Sequence, residues 1–262
     1  MSVADRGLLF GESVYEVLPV TAGRVRWQGP HFARMREGAA AIGIEAPMWL
    51  GDDAGWPAAL VGAEGIDEGL LYLQLTGGAA PRAHLAHATP ELFAFVMPHA
   101  FPDAARRARG LFARCIPELR WHRRDLKTTM LLPSILGKRA AAADGADEVL
   151  WLDAADHVLE GGSSNVAIVE HGVVVTPPPG RERLPGITLA QLETIAASLG
   201  VTLRHEVLPR TRMLAADEVF VLATSQLVMP VLRIDGTAIA DGTAGPITLR
   251  LADALAHAMA SA

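Results

Sequence analysis

Lysine is nearly absent from this chain: of 23 cationic side chains only Lys127 and Lys138 are lysines, and the rest are arginines. A guanidinium keeps its proton near neutral pH, so chemistry that needs a free amine has just those two positions to draw on. Cysteine is scarcer still. The single Cys115 excludes an internal disulfide, and with histidines off metal-ligand spacing no metal site is expected. Positive charge is in deficit, and the net charge of −6 argues against a nucleic-acid surface while leaving small anions open to local arginines. Apolar runs such as Val219 to Ala223 are strand-length, far short of the roughly 20 residues that cross a bilayer, so no membrane role is expected. The start Met1-Ser2-Val3-Ala4-Asp5-Arg6 lacks a basic-then-apolar leader, which predicts a cytoplasmic protein. A nucleophilic serine elbow, a P-loop and a dinucleotide fingerprint are all missing.

Half of the 262 residues are apolar, enough to bury a sizeable core in one or two domains. Ser13 to Val20 and Val25 to Trp27, joined by a glycine turn, read as a strand pair. Phe32, Met35 and Ala39 then fall at helical spacing up to Gly43, and a second helix is predicted over 53–64. Strands follow at Gly69 to Thr76 and Glu91 to Met97. The segment Pro98 to Gly110, with Pro102 and three arginines, reads as a linker, giving a small domain over 1–104, a connection over 105–110 and a larger domain over 111–262. In the larger domain a helix from about Pro133 ends at Asp144-Gly145. Glu148 to Leu152, Val166 to Val169 and Val173 to Thr176 read as three strands of an antiparallel sheet. Strands and helices mix without a regular βαβ alternation, which predicts an α+β fold.

Lys127 stands in Arg123-Arg124-Asp125-Leu126-Lys127-Thr128-Thr129-Met130, where Leu126 and Met130-Leu131-Leu132 make an apolar setting unfriendly to a charged head. It is either a strand-end lysine in solvent or a nucleophile. Lys138, beside Arg139 on a helix, reads as a solvated surface lysine. Glu160 sits among small turn formers, as a hairpin acid or, if Lys127 carries pyridoxal phosphate, as the carboxylate that keeps the pyridine nitrogen protonated, with Ser163 and Ser164 in support. Gly186-Ile187-Thr188 at a helix start and Thr224-Ser225 after a strand offer backbone amides to an anion. Arg34 is either a solvated helix arginine or added charge for that anion. Arg82 and His84 are two apart in one loop, so an extended backbone points both the same way, and arginine grips a carboxylate in a bidentate fork. Tyr15, in an apolar strand, is a core residue or a ligand group.

Taken in order, Asp5-Arg6-Gly7, Gly11 to Glu16, His31 to Arg34, Asp125-Leu126-Lys127, Glu160 to Asn165, Leu184 to Thr188 and Asp217 to Phe220 resemble the blocks of the fold-type IV pyridoxal-phosphate enzymes, the class IV aminotransferases. The resemblance runs across nearly the whole chain. It implies a two-domain α+β fold, with part of the family's usual N-terminal strand pair missing because the chain starts almost at Asp5. It implies pyridoxal 5'-phosphate as cofactor, Lys127 as its Schiff-base lysine and proton carrier, Glu160 under the pyridine nitrogen, Arg34, Ile187, Thr188 and Thr224 at the phosphate, and Leu184 among the cofactor-binding positions. Tyr15, Arg82 and His84 are implied to trap the substrate carboxylate, with the arginine and histidine loop reaching in from the neighbouring subunit of a homodimer. Pro81-Arg82-Ala83-His84 and Arg120-Trp121 are similar to segments of D-amino-acid aminotransferases, which implies transfer from a D-amino acid such as D-alanine to a 2-oxo acid such as 2-oxoglutarate. The alternatives on the same scaffold are a 4-amino-4-deoxychorismate lyase and a branched-chain or (R)-amine transaminase.

Overall fold

A computed structural model describes residues 2–261 and divides them into two compact units. The first takes the chain up to Ala100 together with Leu126–Leu131, and the second takes Phe101–Asp125 and Leu132–Ser261.

In the first unit a short helix α1 (Arg6–Phe10) leads into β1 (Ser13–Thr21), β2 (Arg24–Val25), α2 (Gln28–Ala41), α3 (Trp56–Glu64), β3 (Gly69–Thr76) and β4 (Glu91–Pro98). Its strands form an antiparallel sheet in the order β2-β1-β3-β4, and β1 pairs β3 from Ser13 opposite Thr76 to Val20 opposite Gly69. The helical spacing of Phe32, Met35 and Ala39 puts them into one core with Val14, Leu18 and Leu73. The stretch Leu126–Leu131 extends this sheet: Val14 bridges Thr128, the Tyr15 N–H donates to the Lys127 carbonyl at 3.0 Å, and the Ser13 and Thr129 hydroxyls meet at 2.5 Å. The backbone of Lys127 is thereby registered against β1.

The second unit opens with α4 (Ala104–Arg109), where the sequence predicted a linker. Asp103 explains the difference, because its carboxylate accepts the Arg106 N–H at 2.7 Å as an N-cap and Gly110, at φ 59, closes the turn. β5 (Leu111–Pro117), α5 (Leu132–Ala143), β6 (Glu148–Leu152), β7 (Val158–Gly161), β8 (Asn165–Glu170), β9 (Val173–Thr176), α6 (Ile187–Ser198), β10 (Leu203–His205), α7 (Arg210–Leu214), β11 (Glu218–Ala223), β12 (Leu227–Ile234), β13 (Thr237–Ala238) and α8 (Pro246–Ser261) follow. Among the described residues this sheet has nine strands, ordered β10-β9-β8-β11-β12-β5-β6-β7 with β13 beside β12. β5 is parallel to both β6 and β12, and β9 to β10, whereas β8, β9 and β11 pair antiparallel. The three strands expected as one antiparallel set are thus split: β8 and β9 are neighbours, and β6 lies across the sheet. A period-2 pattern identifies a strand without saying which edge it joins. Leu150, Val166, Ile168, Val219, Val221 and Met229 form the core of the sheet. Among the described residues no helix is long and apolar enough to cross a membrane.

Candidate active site

In the first unit the Lys127 ammonium lies over the ring of Tyr15, 4.2 Å from its centroid, and Tyr15 stacks on Tyr72 at 5.6 Å. Of the apolar neighbours expected around the lysine head, Met130 and Leu132 are exposed and Leu126 and Leu131 half-buried. Alternation along β1 sends Glu16 to the face opposite Tyr15. Glu16 is fully buried between two residues of α2, with Arg34 donating Nε and Nη2 to its two oxygens at 2.7 Å each and His31 Nδ1 at 2.6 Å. Burial alone raises a carboxyl's pKa, but Arg34 and His31 outweigh it and hold Glu16 down at about 2. With the carboxylate ionised, His31 Nδ1 must be the donor. Burial keeps the His31 pKa below its ordinary 6.5, so the ring is neutral and its buried Nε2 is an acceptor without a partner among the described residues. Arg34, expected at a phosphate, is therefore also a counter-ion of Glu16.

Arg82 and His84 share the exposed loop between β3 and β4. Both side chains rest on Phe10 at the end of α1: the Arg82 guanidinium is 5.5 Å above its ring, and the His84 ring meets it edge-on at 5.5 Å. Arg6 fixes the loop backbone, donating to the carbonyls of Ala83 at 2.8 Å and His84 at 2.9 Å, while its own charge is met by Glu12.

In the second unit Glu160 ends up on β7, not in the turn, and is buried. Arg120 donates to one oxygen at 2.6 Å, and the Leu184 N–H (3.0 Å) and Asn165 Nδ2 (3.5 Å) donate to the other. Burial nonetheless leaves its carboxyl raised above the usual range. Arg120 is itself clamped by Glu118 and stacked 5.2 Å over Trp151. The turn after β7 is held from below by buried Glu148, whose oxygens accept the Gly162 N–H at 3.2 Å and the Ser164 hydroxyl at 2.9 Å. Lys138 reaches the same turn, donating to Ser163 at 2.7 Å and lying 3.8 Å from Glu148. Lys138, expected as a solvated surface lysine, is partly exposed and also tied to this turn.

Ile187 and Thr188 open α6, whose N-cap Gly186 supplies no side-chain hydrogen bond, and a Cβ at Gly186 would collide with the Asn165 amide. Amides at such a helix start suit an anion. Thr224 is half-buried in the turn between β11 and β12. Taken unit by unit, the residues present fit pyridoxal phosphate: in the first a lysine head over an aromatic face suits its aldehyde, and in the second a buried carboxyl suits its ring nitrogen and helix-start amides suit its phosphate. No role was assigned from sequence to Arg6, Glu16 or His31, which were named only within family blocks, nor to Phe10 or Glu148. Only Glu16 left a signal, as a lone carboxylate inside the apolar run of β1.

The model of the amino-transferase class IV family matches residues 13–234. A D-alanine aminotransferase of Bacillus licheniformis is 33% identical over 264 residues, covering 100% of this chain and 92% of the relative. One from Staphylococcus epidermidis is 32% identical, covering 96% and 89%. Among solved structures, a branched-chain aminotransferase from the thermophilic archaeon Thermoproteus uzoniensis superimposes with a TM-score of 0.86 at 26% identity, over 100% of this chain and 90% of that one. A 4-amino-4-deoxychorismate lyase from Legionella pneumophila gives 0.89 at 23% identity, over 98% and 94%, a likeness of fold alone.

Proposed function

Since the chain belongs to the class IV aminotransferases, which depend on pyridoxal phosphate, we propose that it moves the amino group of a D-amino acid, such as D-alanine, to a 2-oxo acid such as 2-oxoglutarate. The observation that carries this reading is the Arg82 guanidinium, held over Phe10 with no hydrogen bond or ion pair on its N–H donors among the described residues. An arginine so placed is ready for a carboxylate fork.

When bound, pyridoxal phosphate supplies an aldehyde that condenses with amines and a ring that draws electrons from the carbon bearing the amine. Lys127 would hold it, with Glu160 at the ring nitrogen and Arg34, Leu184, Ile187, Thr188 and Thr224 among its other partners. Ser163 and Ser164 act through the turn that follows Glu160. Lys127 Nζ accepts the proton from the donor's α-carbon and delivers one back, as general base and then acid. The Tyr15 ring keeps that ammonium in place by a contact that occupies none of its N–H donors. Arg82, His84 and Tyr15 orient the donor through its carboxylate, so that one enantiomer presents its α-hydrogen to the lysine. The enzyme works as a homodimer in the cytoplasm, and the exposed Leu132, Ile135 and Leu136 on one face of α5 are apolar surface of the kind a second subunit covers.

The test is to supply D-alanine with 2-oxoglutarate and follow pyruvate and glutamate, with L-leucine, an (R)-amine and 4-amino-4-deoxychorismate as parallel donors. Pyruvate and glutamate formed in equal amounts from D-alanine support the reading. Turnover of L-leucine or the (R)-amine alone, or pyruvate released from 4-amino-4-deoxychorismate without an acceptor, overturns it.

A further inference from the structure

We infer that Phe10 is a positioning residue for substrate recognition: its ring is the platform that sets Arg82 and His84 to face one carboxylate together, while Arg6 latches the loop that carries them. This rests on the carboxylate reading of Arg82 and His84 given above and deepens it.

Three observations converge on Phe10. Its place is fixed by the chain on both sides. Asp5 caps α1 by accepting the Leu8 N–H at 3.2 Å and also accepts the Thr76 hydroxyl at 2.7 Å, and Gly11, at φ 70, ends the helix just after the ring. The ring then meets three side chains at once, with the guanidinium carbons of Arg6 and Arg82 at 5.1 and 5.5 Å and the His84 ring at 5.5 Å in a T-shaped contact. Finally, the two arginines differ in what their donors do. Arg6 is buried and its guanidinium is used up on Glu12 and on the carbonyls of Ala83 and His84. Arg82 is exposed, and among the described residues its guanidinium meets only the ring.

A guanidinium lying on an aromatic face is held through its π surface, so its N–H edges still radiate outward in plane. An exposed arginine without such a support samples many rotamers, and fixing it on binding costs affinity. The platform removes most of that cost before the donor arrives. Because Glu12 balances Arg6, the loop keeps the uncompensated charge of Arg82, which selects an anion.

The experiment is a double-mutant cycle on the holoenzyme, read as KM and kcat for D-alanine or for whichever amino-acid donor the wild type uses best. Phe10→Leu keeps the apolar volume and removes the ring quadrupole, and it should raise the donor KM about five- to tenfold with kcat changed less than about threefold. Phe10→Tyr should restore KM. In an Arg82→Ala background Phe10→Leu should add a smaller increase, carried by His84, and in an Arg82→Ala/His84→Ala background none. An unchanged KM in Phe10→Leu, failure of Phe10→Tyr to rescue, or full additivity with Arg82→Ala overturns the inference, since a purely structural ring would act independently of the arginine. A wild type that turns over no carboxylate donor defeats the parent reading instead, and the inference with it.

Discussion

Arg82 and His84 have only the Phe10 ring for a side-chain partner among the described residues, whereas Glu160 accepts from Arg120, Leu184 and Asn165 at once. Both regions hold a group in position, and the means differ because the tasks differ. Donors reserved for a ligand must be oriented by a force that leaves them free, and the face of an aromatic ring does so. A buried carboxyl needs its hydrogen bonds filled by the protein; they hold Glu16 low, while burial still leaves Glu160 raised above the usual range. Lys127 over Tyr15 follows the first pattern. Glu16, between His31 and Arg34, follows the second, although it belongs to the same unit as Lys127.

The largest effect should come from the ring-held group. Lys127→Ala should lower kcat for D-alanine with 2-oxoglutarate by more than about 10³-fold while leaving the melting temperature within a few degrees, because the head is tied to no hydrogen bond among the described residues. Lys127→Arg should not rescue, since a guanidinium offers no free amine. A variant that keeps a tenth of the rate would put the chemistry elsewhere. The hydrogen-bonded group should respond in stability instead. Glu16→Gln removes the carboxylate that pairs with the largely covered Arg34 guanidinium and accepts from buried His31, and it should cost roughly 3 kcal/mol. The sign with pH follows from a folded pKa of about 2 against an ordinary 4.5: the stabilisation by ionised Glu16 is complete above 4.5 and is lost as pH falls through about 2. Denaturant midpoints taken across that range should fall more steeply for wild type than for Glu16→Gln. Parallel curves would mean that Glu16 does not carry the acid limb.

Much of the frame was legible in residue order, and the limits have physical causes. Phe32, Met35 and Ala39 announced their helix because one buried face imposes a 3.6 period, and the alternation in Ser13 to Val20 announced its strand. Lys127 stood out by scarcity alone. What stayed hidden depends on contacts distant in sequence: Arg6 reaches the carbonyls of Ala83 and His84, and Arg120 reaches Glu160, so no local pattern marks either one. The helix inside 98–110 stayed hidden because proline and arginines there resemble a connection, while a single aspartate at 103 suffices to start a helix. The contact of Lys138 with Ser163 was hidden for the opposite reason. An isolated helix lysine is usually solvated, and only the fold brings the β7–β8 turn to it.

Lys138 also offers the finest separation of the two regions. Its ammonium donates to Ser163 and faces Glu148, but it is 40% exposed, and Glu148 keeps the Val149 and Gly162 N–H groups and the Ser164 hydroxyl without it. Lys138→Met should therefore cost only about 1 kcal/mol, a fall of roughly 2–4 °C in melting temperature. The loss falls on the turn joining the strands that carry Glu160 and Asn165, so the holoenzyme should release pyridoxal phosphate a few-fold more readily while its KM for D-alanine stays put. Phe10→Leu should do the reverse, raising the donor KM and leaving cofactor retention unchanged. Cofactor release measured by dialysis, set beside donor KM for both variants, decides the matter. If Lys138→Met raised the donor KM as much as Phe10→Leu does, the ring-held loop and the hydrogen-bonded hairpin would act as one device, and dividing them by the way each holds its polar groups would have no functional meaning.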